Sequence, residues 1–173
     1  MGNNIILCGF MGCGKTRVGK QLRKDTGREF VDIDYYIEHR EGMRVSEIFE
    51  KFGEEEFRKK ENEAVKILSK RKNLIIACGG GTVLREENVN VFHETGGVIV
   101  FLNVPVVVLQ ERLKNDTKRP LLQTPDRNKV IWELHKERYP KYREAADVSI
   151  YAAMPCKRVS KRILGKEKIR AIL

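Results

Sequence analysis

Residues 9–17 read GFMGCGKTR, directly after the apolar run IILC, and fit G-x-x-x-x-G-K-[ST] through Gly9, Gly14, Lys15 and Thr16. Glycines at such a turn let backbone N–H groups wrap the β-phosphate of a nucleotide at the start of a helix. Lys15 supplies a cation that reaches the β- and γ-phosphates, and the Thr16 hydroxyl offers a hard oxygen to Mg²⁺. A glycine-rich turn without a ligand would need neither the lysine nor the hydroxyl, so the loop reads as a nucleoside triphosphate site. A triphosphate site in turn raises the matter of what accepts the phosphate.

Three further stretches carry groups suited to an acceptor. VDIDYYIE places Asp32 and Asp34 two residues apart, which on an extended backbone puts both on the same side. One carboxylate can then hold a divalent ion, directly or through water, and the other can orient or deprotonate a hydroxyl; an aspartate at a strand end also caps the next helix. FGEEEFRKKE sets Phe57 four residues and Arg58 three residues before Glu61, and an i,i+3 ion pair is ordinarily a surface feature of little consequence. LIIACGGGTV ends a buried-looking strand in Gly79, Gly80 and Gly81, whose backbone N–H groups stay open to a small polar ligand.

The elements that must position these groups follow from hydrophobic periodicity. Apolar β-rich runs at 5–8, 30–33, 74–78, 98–102 and 148–151 alternate with helical patterns at 15–25, 34–40, 46–52, 54–69, 86–94, 105–114, 126–145 and 155–163. Such alternation predicts an α/β fold, a parallel sheet covered by helices. Pro105 and Pro155 suit first helical turns, whereas Pro140 lies inside a helical pattern and should kink or break it. NDTKRPLLQTPD, residues 115–126, has turn formers and two prolines between helices and reads as a mobile loop.

At 173 residues the chain fits one domain, and no apolar run approaches the roughly 20 residues that span a bilayer. No basic segment precedes the short apolar run of MGNNIILCGF, which reads as a strand and not a secretion signal, as in a soluble cytoplasmic protein. Cys8, Cys13, Cys78 and Cys156 form no C-x-x-C pair and have no neighbouring histidine, so they read as reduced thiols. Of the net charge of +10, a net +6 comes from seven basic residues between Lys157 and Arg170 against Glu167 alone. Val159, Ile163 and Ile169 give that segment an apolar stripe, so it reads as a surface helix with a solvated basic face and no nucleic-acid partner is expected.

Taken in order, GFMGCGKT, DID, FR, GGGT, RPLL and ERYPKY resemble the shikimate kinases across nearly the whole chain. The resemblance implies a three-layer P-loop kinase fold with a five-stranded parallel sheet. It also implies a monomer that transfers the γ-phosphate of ATP to the 3-hydroxyl of shikimate, with Mg²⁺ held by Thr16 and Asp32. Position by position, it sets Gly12, Cys13, Gly14, Lys15, Thr16 and Arg17 around the ATP phosphates and Arg112 against the adenine. Asp34 becomes the group that engages the acceptor hydroxyl, within an acceptor-binding region of about 34–62. Arg58 and Arg138 become the grip on the shikimate carboxylate, Gly79, Gly80 and Gly81 the turn beside the ring hydroxyls, and Phe49 and Phe57 apolar walls. Glu61 steadies the pocket arginine, and Arg119, in a lid of about 115–126, reaches the transferring phosphate, so that Lys15, Asp34 and Arg119 are the expected catalytic set.

Chemistry supports the same division: a rigid hydroxy acid needs a bidentate cation for its carboxylate, and phosphoryl transfer needs alignment and charge neutralisation. Two positions depart from the family pattern. Arg17 stands where many relatives carry serine or threonine, and Cys78 where threonine is frequent. His39, His93 and His135 read as helix-surface residues and Trp132 as packing. A nucleoside monophosphate or other small-metabolite kinase, and a nucleotide-dependent binding module using the basic tail, are the alternatives; DID, FR and GGGT disfavour the first, and Asp34 with Arg119 the second.

Overall fold

The computed structural model describes residues 2–117 and 119–173; Met1 and Lys118, the latter within the expected lid, lie outside the described residues. Five strands, β1 (Ile5–Cys8), β2 (Glu29–Asp32), β3 (Leu74–Ala77), β4 (Val98–Asn103) and β5 (Val148–Tyr151), form one sheet in the order β2-β3-β1-β4-β5. Every pairing is parallel, with Ile5 opposite Ile75 on one side and Val98 on the other. All four residues of β1 and of β3 are buried, as strands covered on both faces require, while edge strand β5 alternates buried and exposed. Because β1 lies between β3 and β4, the strand order reverses there. The loops leaving the carboxyl ends of β1, β2 and β3 open into one crevice, the place where such sheets bind ligands.

Among the described residues eight helices flank the sheet: α1 (Lys15–Thr26), α2 (Ile33–Glu41), α3 (Val45–Lys70), α4 (Glu86–Glu94), α5 (Val106–Leu113), α6 (Arg127–Ala145), α7 (Cys156–Leu164) and α8 (Glu167–Arg170). The two helices expected over 46–52 and 54–69 are one element interrupted at Gly53, whose φ of 82° and ψ of 171° are open to glycine and costly for other residues. Helix α6 continues through Pro140, so of the kink or break expected there the break does not occur. A proline removes one donor, but buried Ile131, Tyr142 and Ala145 anchor the helix on both sides of it. Pro105 and Pro155 sit one step earlier than expected, as the residues capping α5 and α7.

Helix α8 falls beyond the expected helices, and its Ile169 joins Val159 and Ile163 of α7 in the core, with Lys157, Arg158, Lys161 and Arg162 exposed. The stripe and the solvated basic face are therefore as the sequence implies. Among the described residues no helix is long and apolar enough to cross a membrane.

Candidate active site

Directly after β1, the chain turns through the glycine loop into α1. Gly14 caps the helix with φ 99° and ψ 20°, a conformation suited to glycine, and no side chain bonds the open N–H groups of the first turn. No acidic residue lies in that turn, so these donors and the positive end of the helix dipole face the crevice free for an anion. Lys15 folds back over the loop, its Nζ donating to the Gly9 carbonyl at 2.7 Å and the Phe10 carbonyl at 3.3 Å, with Cys13 Sγ at 3.7 Å. Arg112 of α5 donates to the Gly12 carbonyl at 3.1 Å, which ties α5 to the loop. Arg17 is exposed on the first turn of α1.

The two aspartates meet the loop differently from the expected extended pair. Asp32 ends β2, but Asp34 already lies in the first turn of α2, so proximity comes from the strand-to-helix turn and not from strand alternation. Thr16 Oγ1 donates to Asp32 Oδ2 at 2.9 Å. A hydroxyl and a carboxylate side by side are hard oxygen donors, few enough that phosphate oxygens and water would complete an octahedral shell, and so they fit Mg²⁺. Among the described residues no cluster of three or more His, Cys, Asp or Glu is placed to hold a metal. Burial, then the neighbouring charges of Asp32 and Glu61, push the Asp34 carboxyl up to about 6, against the opposing pull of Lys15 and Arg58.

Arg58 and Glu61 are not the surface pair that their spacing suggests. Glu61 is fully buried and accepts from Arg58 Nη1 at 2.8 Å, while Arg58 also reaches Glu54 at 3.1 Å. Burial acts to lower the Arg58 pKa, but Glu61 and Glu54 outweigh it and raise it, so the guanidinium stays charged. Its Cζ lies 5.3 Å from the centre of the Phe57 ring, which packs 4.7 Å from Phe49, so two aromatic rings and a cation lie side by side.

Gly79, Gly80 and Gly81 leave β3 between these groups. A Cβ on Gly79 would lie 2.7 Å from Asp34 Oδ1 and 3.0 Å from Glu61 Oε1, and one on Gly81 would lie 2.5 Å from Arg58 Nη1. On the far side, Arg138 Nη1 of α6 is the atom nearest a Cβ on Gly80, at 3.9 Å. Arg58 and Arg138, 80 positions apart in the chain, thus flank one glycine turn. Among the described residues Arg138 Nε is buried without a hydrogen-bond partner.

Arg119 is not brought to the phosphate loop. Its backbone N–H donates to Asp116 Oδ1 at 2.9 Å and its guanidinium pairs with Asp116, within its own loop. That loop contains a 3₁₀ turn, Pro120–Leu122, whose Leu122 is fully buried, while Arg127 donates to the Leu122 carbonyl at 2.8 Å.

Tyr142 and Thr82 have no role assigned by the sequence. Tyr142, four residues beyond Arg138 and therefore on the same helix face, donates its hydroxyl to the Gly80 carbonyl at 2.6 Å. Burial raises its pKa. Thr82 donates to Glu61, a contact that only its place after the glycines could have signalled. His135 is half-buried, edge-on to Phe10 at 5.5 Å between ring centres, so it is no surface residue, and burial lowers its pKa. His93 pairs with Asp147 at 3.1 Å. Trp132, expected to pack, is 49% exposed beneath Lys136. Cys8, Cys13 and Cys78 are buried free thiols around the loop.

Comparison with known proteins agrees with this arrangement. The family model for shikimate kinase matches residues 11–167. The shikimate kinase of Thermodesulfovibrio yellowstonii is 49% identical over 142 residues, 82% of this chain and 82% of that protein. The solved shikimate kinase from Acinetobacter baumannii in complex with shikimate superposes with a TM-score of 0.88 at 38% identity, over 94% of this chain and 90% of that one. A gluconokinase from Sinorhizobium meliloti 1021, at a TM-score of 0.61 and 16% identity over 98% of this chain and 93% of that one, shares the fold alone. With the matched model covering the loop from Met11 onward, Asp32, Asp34, Arg58, Arg138 and residues 115–126, the chain belongs to the shikimate kinase family.

Proposed function

We propose that this chain transfers the γ-phosphate of ATP to the 3-hydroxyl of shikimate, giving shikimate 3-phosphate and ADP on the route to the aromatic amino acids, with the roles that follow. The observation that carries the acceptor assignment is the pair of arginines flanking Gly80 and Gly81, one with a buried and unpartnered Nε. A planar carboxylate between them satisfies both forks. Phe49 and Phe57 wall the pocket, and the Gly79 to Gly81 backbone meets the ring hydroxyls.

The first-turn N–H groups of α1, Gly12, Cys13 and Gly14 among the loop backbone, and Lys15 hold the phosphates, Lys15 exchanging a loop carbonyl for phosphate oxygen. Arg17 and Arg112 border the nucleotide at the helix start and at Gly12, Arg112 against the adenine. Asp34 receives the hydroxyl, orients its oxygen toward the γ-phosphorus and accepts its proton as the bond to the β–γ bridging oxygen breaks. Arg119 leaves Asp116 and reaches the transferring phosphate when the 115–126 lid closes, which also excludes water as the competing acceptor. Thr16 and Asp32 would hold Mg²⁺, which supplies neutralisation of phosphate charge when bound. The enzyme works as a single-domain cytoplasmic monomer without a nucleic-acid partner; packing of all the helices around one sheet supports the single domain.

ATP consumption measured with shikimate, gluconate, nucleoside monophosphates and nucleic acid tests the reading. Turnover with shikimate alone is expected; preferential turnover of gluconate or a nucleotide would overturn it.

A further inference from the structure

Glu61 holds Arg58 through one carboxylate oxygen, and its other oxygen reveals how it is itself held. Thr82 Oγ1 donates to Glu61 Oε1 at 2.6 Å. The Thr82 carbonyl accepts from Asn88 Nδ2 at 2.8 Å, and Asn88 Oδ1 accepts from Asn62 Nδ2 at 2.8 Å. Asn62 adjoins Glu61 on α3, so the chain of bonds closes into a ring through α3, the 3₁₀ turn Thr82–Leu84 and α4. Glu61, Thr82 and Asn88 are fully buried and Asn62 is 9% exposed, so water offers no substitute for any member.

The ring matters because of what surrounds Glu61. Asp34 from α2 faces the same point at Gly79, and the Cys78 thiol lies within electrostatic reach of Glu61. A buried carboxylate with a free rotamer could turn from Arg58 toward other donors, and Arg58 would then follow Glu54 outward to the more exposed side of α3. We infer that Thr82, fixed by Asn88 and Asn62, is a positioning residue for shikimate recognition: its hydroxyl locks Glu61 in the rotamer that aims Arg58 at the acceptor carboxylate. This inference rests on the assignment of Arg58 to that carboxylate.

Calorimetric titration with shikimate, with a carboxylate-free analogue and with ATP tests it in Thr82→Val, Thr82→Ser and Arg58→Leu, and in the double variant Thr82→Val/Arg58→Leu. Thr82→Val should weaken shikimate binding roughly tenfold, the effect of losing one hydrogen bond to a charged group, while ATP binding and kcat change less than about twofold. Thr82→Ser keeps the donor and should restore parental affinity. In the Arg58→Leu background the Thr82→Val change should have no further effect, whereas a merely structural role would add its full loss. Unchanged shikimate affinity in Thr82→Val, failure of serine to restore it, additivity with Arg58→Leu, or an equal loss for the analogue would each overturn the inference. Should Thr82→Val not fold, Thr82→Ala is read by the same criteria, and failure of both would assign the hydroxyl to stability and overturn the positioning role. Arg58→Leu alone leaving shikimate affinity unchanged would instead count against the parent assignment, so the two failures are distinguishable.

Discussion

Gly81→Ala adds one methyl group where the fold leaves no room for it. The Gly81 backbone, at φ −104° and ψ −9°, is accessible to alanine, so no conformational penalty confuses the outcome. Its new Cβ would lie 2.5 Å from Arg58 Nη1 and 2.6 Å from both Cζ and Nη2, against an ordinary carbon contact of about 3.5–4.0 Å. The guanidinium must therefore retreat by about 1 Å. Such a shift stretches its 2.8 Å bond to Glu61 beyond hydrogen-bonding range and leaves a buried carboxylate with Thr82 as its one remaining donor. Bonds to charged groups contribute about 1.5–3 kcal/mol, so shikimate should bind roughly tenfold to a hundredfold more weakly, with ATP affinity unaltered. Thermal or denaturant unfolding should show a loss of stability of similar size. Gly80→Ala is the control, since the nearest atom to its Cβ is Arg138 Nη1 at 3.9 Å and folding should be unaffected. A Gly81→Ala protein with parental shikimate affinity and stability would refute the claim that this turn and Arg58 are in mutual contact.

The Asp34 carboxyl, raised to about 6 mainly by burial, favours the fold while it is protonated; that contribution is complete below its ordinary 3.8 and is lost as pH rises through about 6. Asp34→Asn should thus abolish most turnover while retaining ATP binding, and should be more stable than the parent at pH 7 by up to about 3 kcal/mol but equal to it near pH 3.5, a pattern that unfolding at the two pH values checks. Arg58→Leu and Arg138→Leu should each cut shikimate affinity and combine non-additively, since both act on one anion; additive losses by titration would separate them. Arg119→Ala should lower kcat far more than shikimate affinity, because Arg119 is paired with Asp116 outside the pocket until the lid moves; steady-state kinetics showing only a raised KM would place it in the acid site. A thiol reagent should inactivate the enzyme through Cys13, whose Sγ lies 3.7 Å from Lys15 Nζ, and ATP with Mg²⁺ should slow this; equal inactivation of Cys13→Ser would move the target elsewhere.

Local patterns in the sequence are enough to locate the sheet and the loop. Short apolar runs rich in β-branched residues and bounded by turn residues read as strands, and each observed strand lies within a residue of its expected bounds. Gly53 announces the break in α3, and Gly14, Lys15 and Thr16 announce the anion site, because each states a backbone or chemical need by residue type alone. What local pattern cannot express is burial. Arg58 and Glu61 read as a surface pair because spacing on a helix says nothing of what covers that face, and the covering groups, Gly81 and Thr82, lie 20 and more positions away. The same blindness misplaced His135, whose neighbour Phe10 belongs to a different element. Convergence of Arg58 with Arg138 was legible only through the family resemblance, since nothing in either segment points to the other.

Three carboxylates, Asp32, Asp34 and Glu61, crowd the carboxyl end of the sheet, and the donors distributed among them decide what each can do. Asp32 accepts from the Thr16 hydroxyl and Glu61 accepts from Arg58 and Thr82, so both are engaged as acceptors. Among the described residues Asp34 receives no such donor, and burial raises its proton affinity. This distribution of donors divides the three acids: two hold other groups, and the third keeps lone pairs free for an incoming hydrogen-bond donor. Lys15 and Arg58 limit how far the rise can go, so that Asp34 remains largely ionised at neutral pH yet basic enough to accept a proton. Moving any one donor would redistribute the charge. Replacing Thr16, for example, would leave Asp32 without its hydroxyl donor beside Asp34, and the glycine loop and the acceptor pocket would lose their separation of roles together.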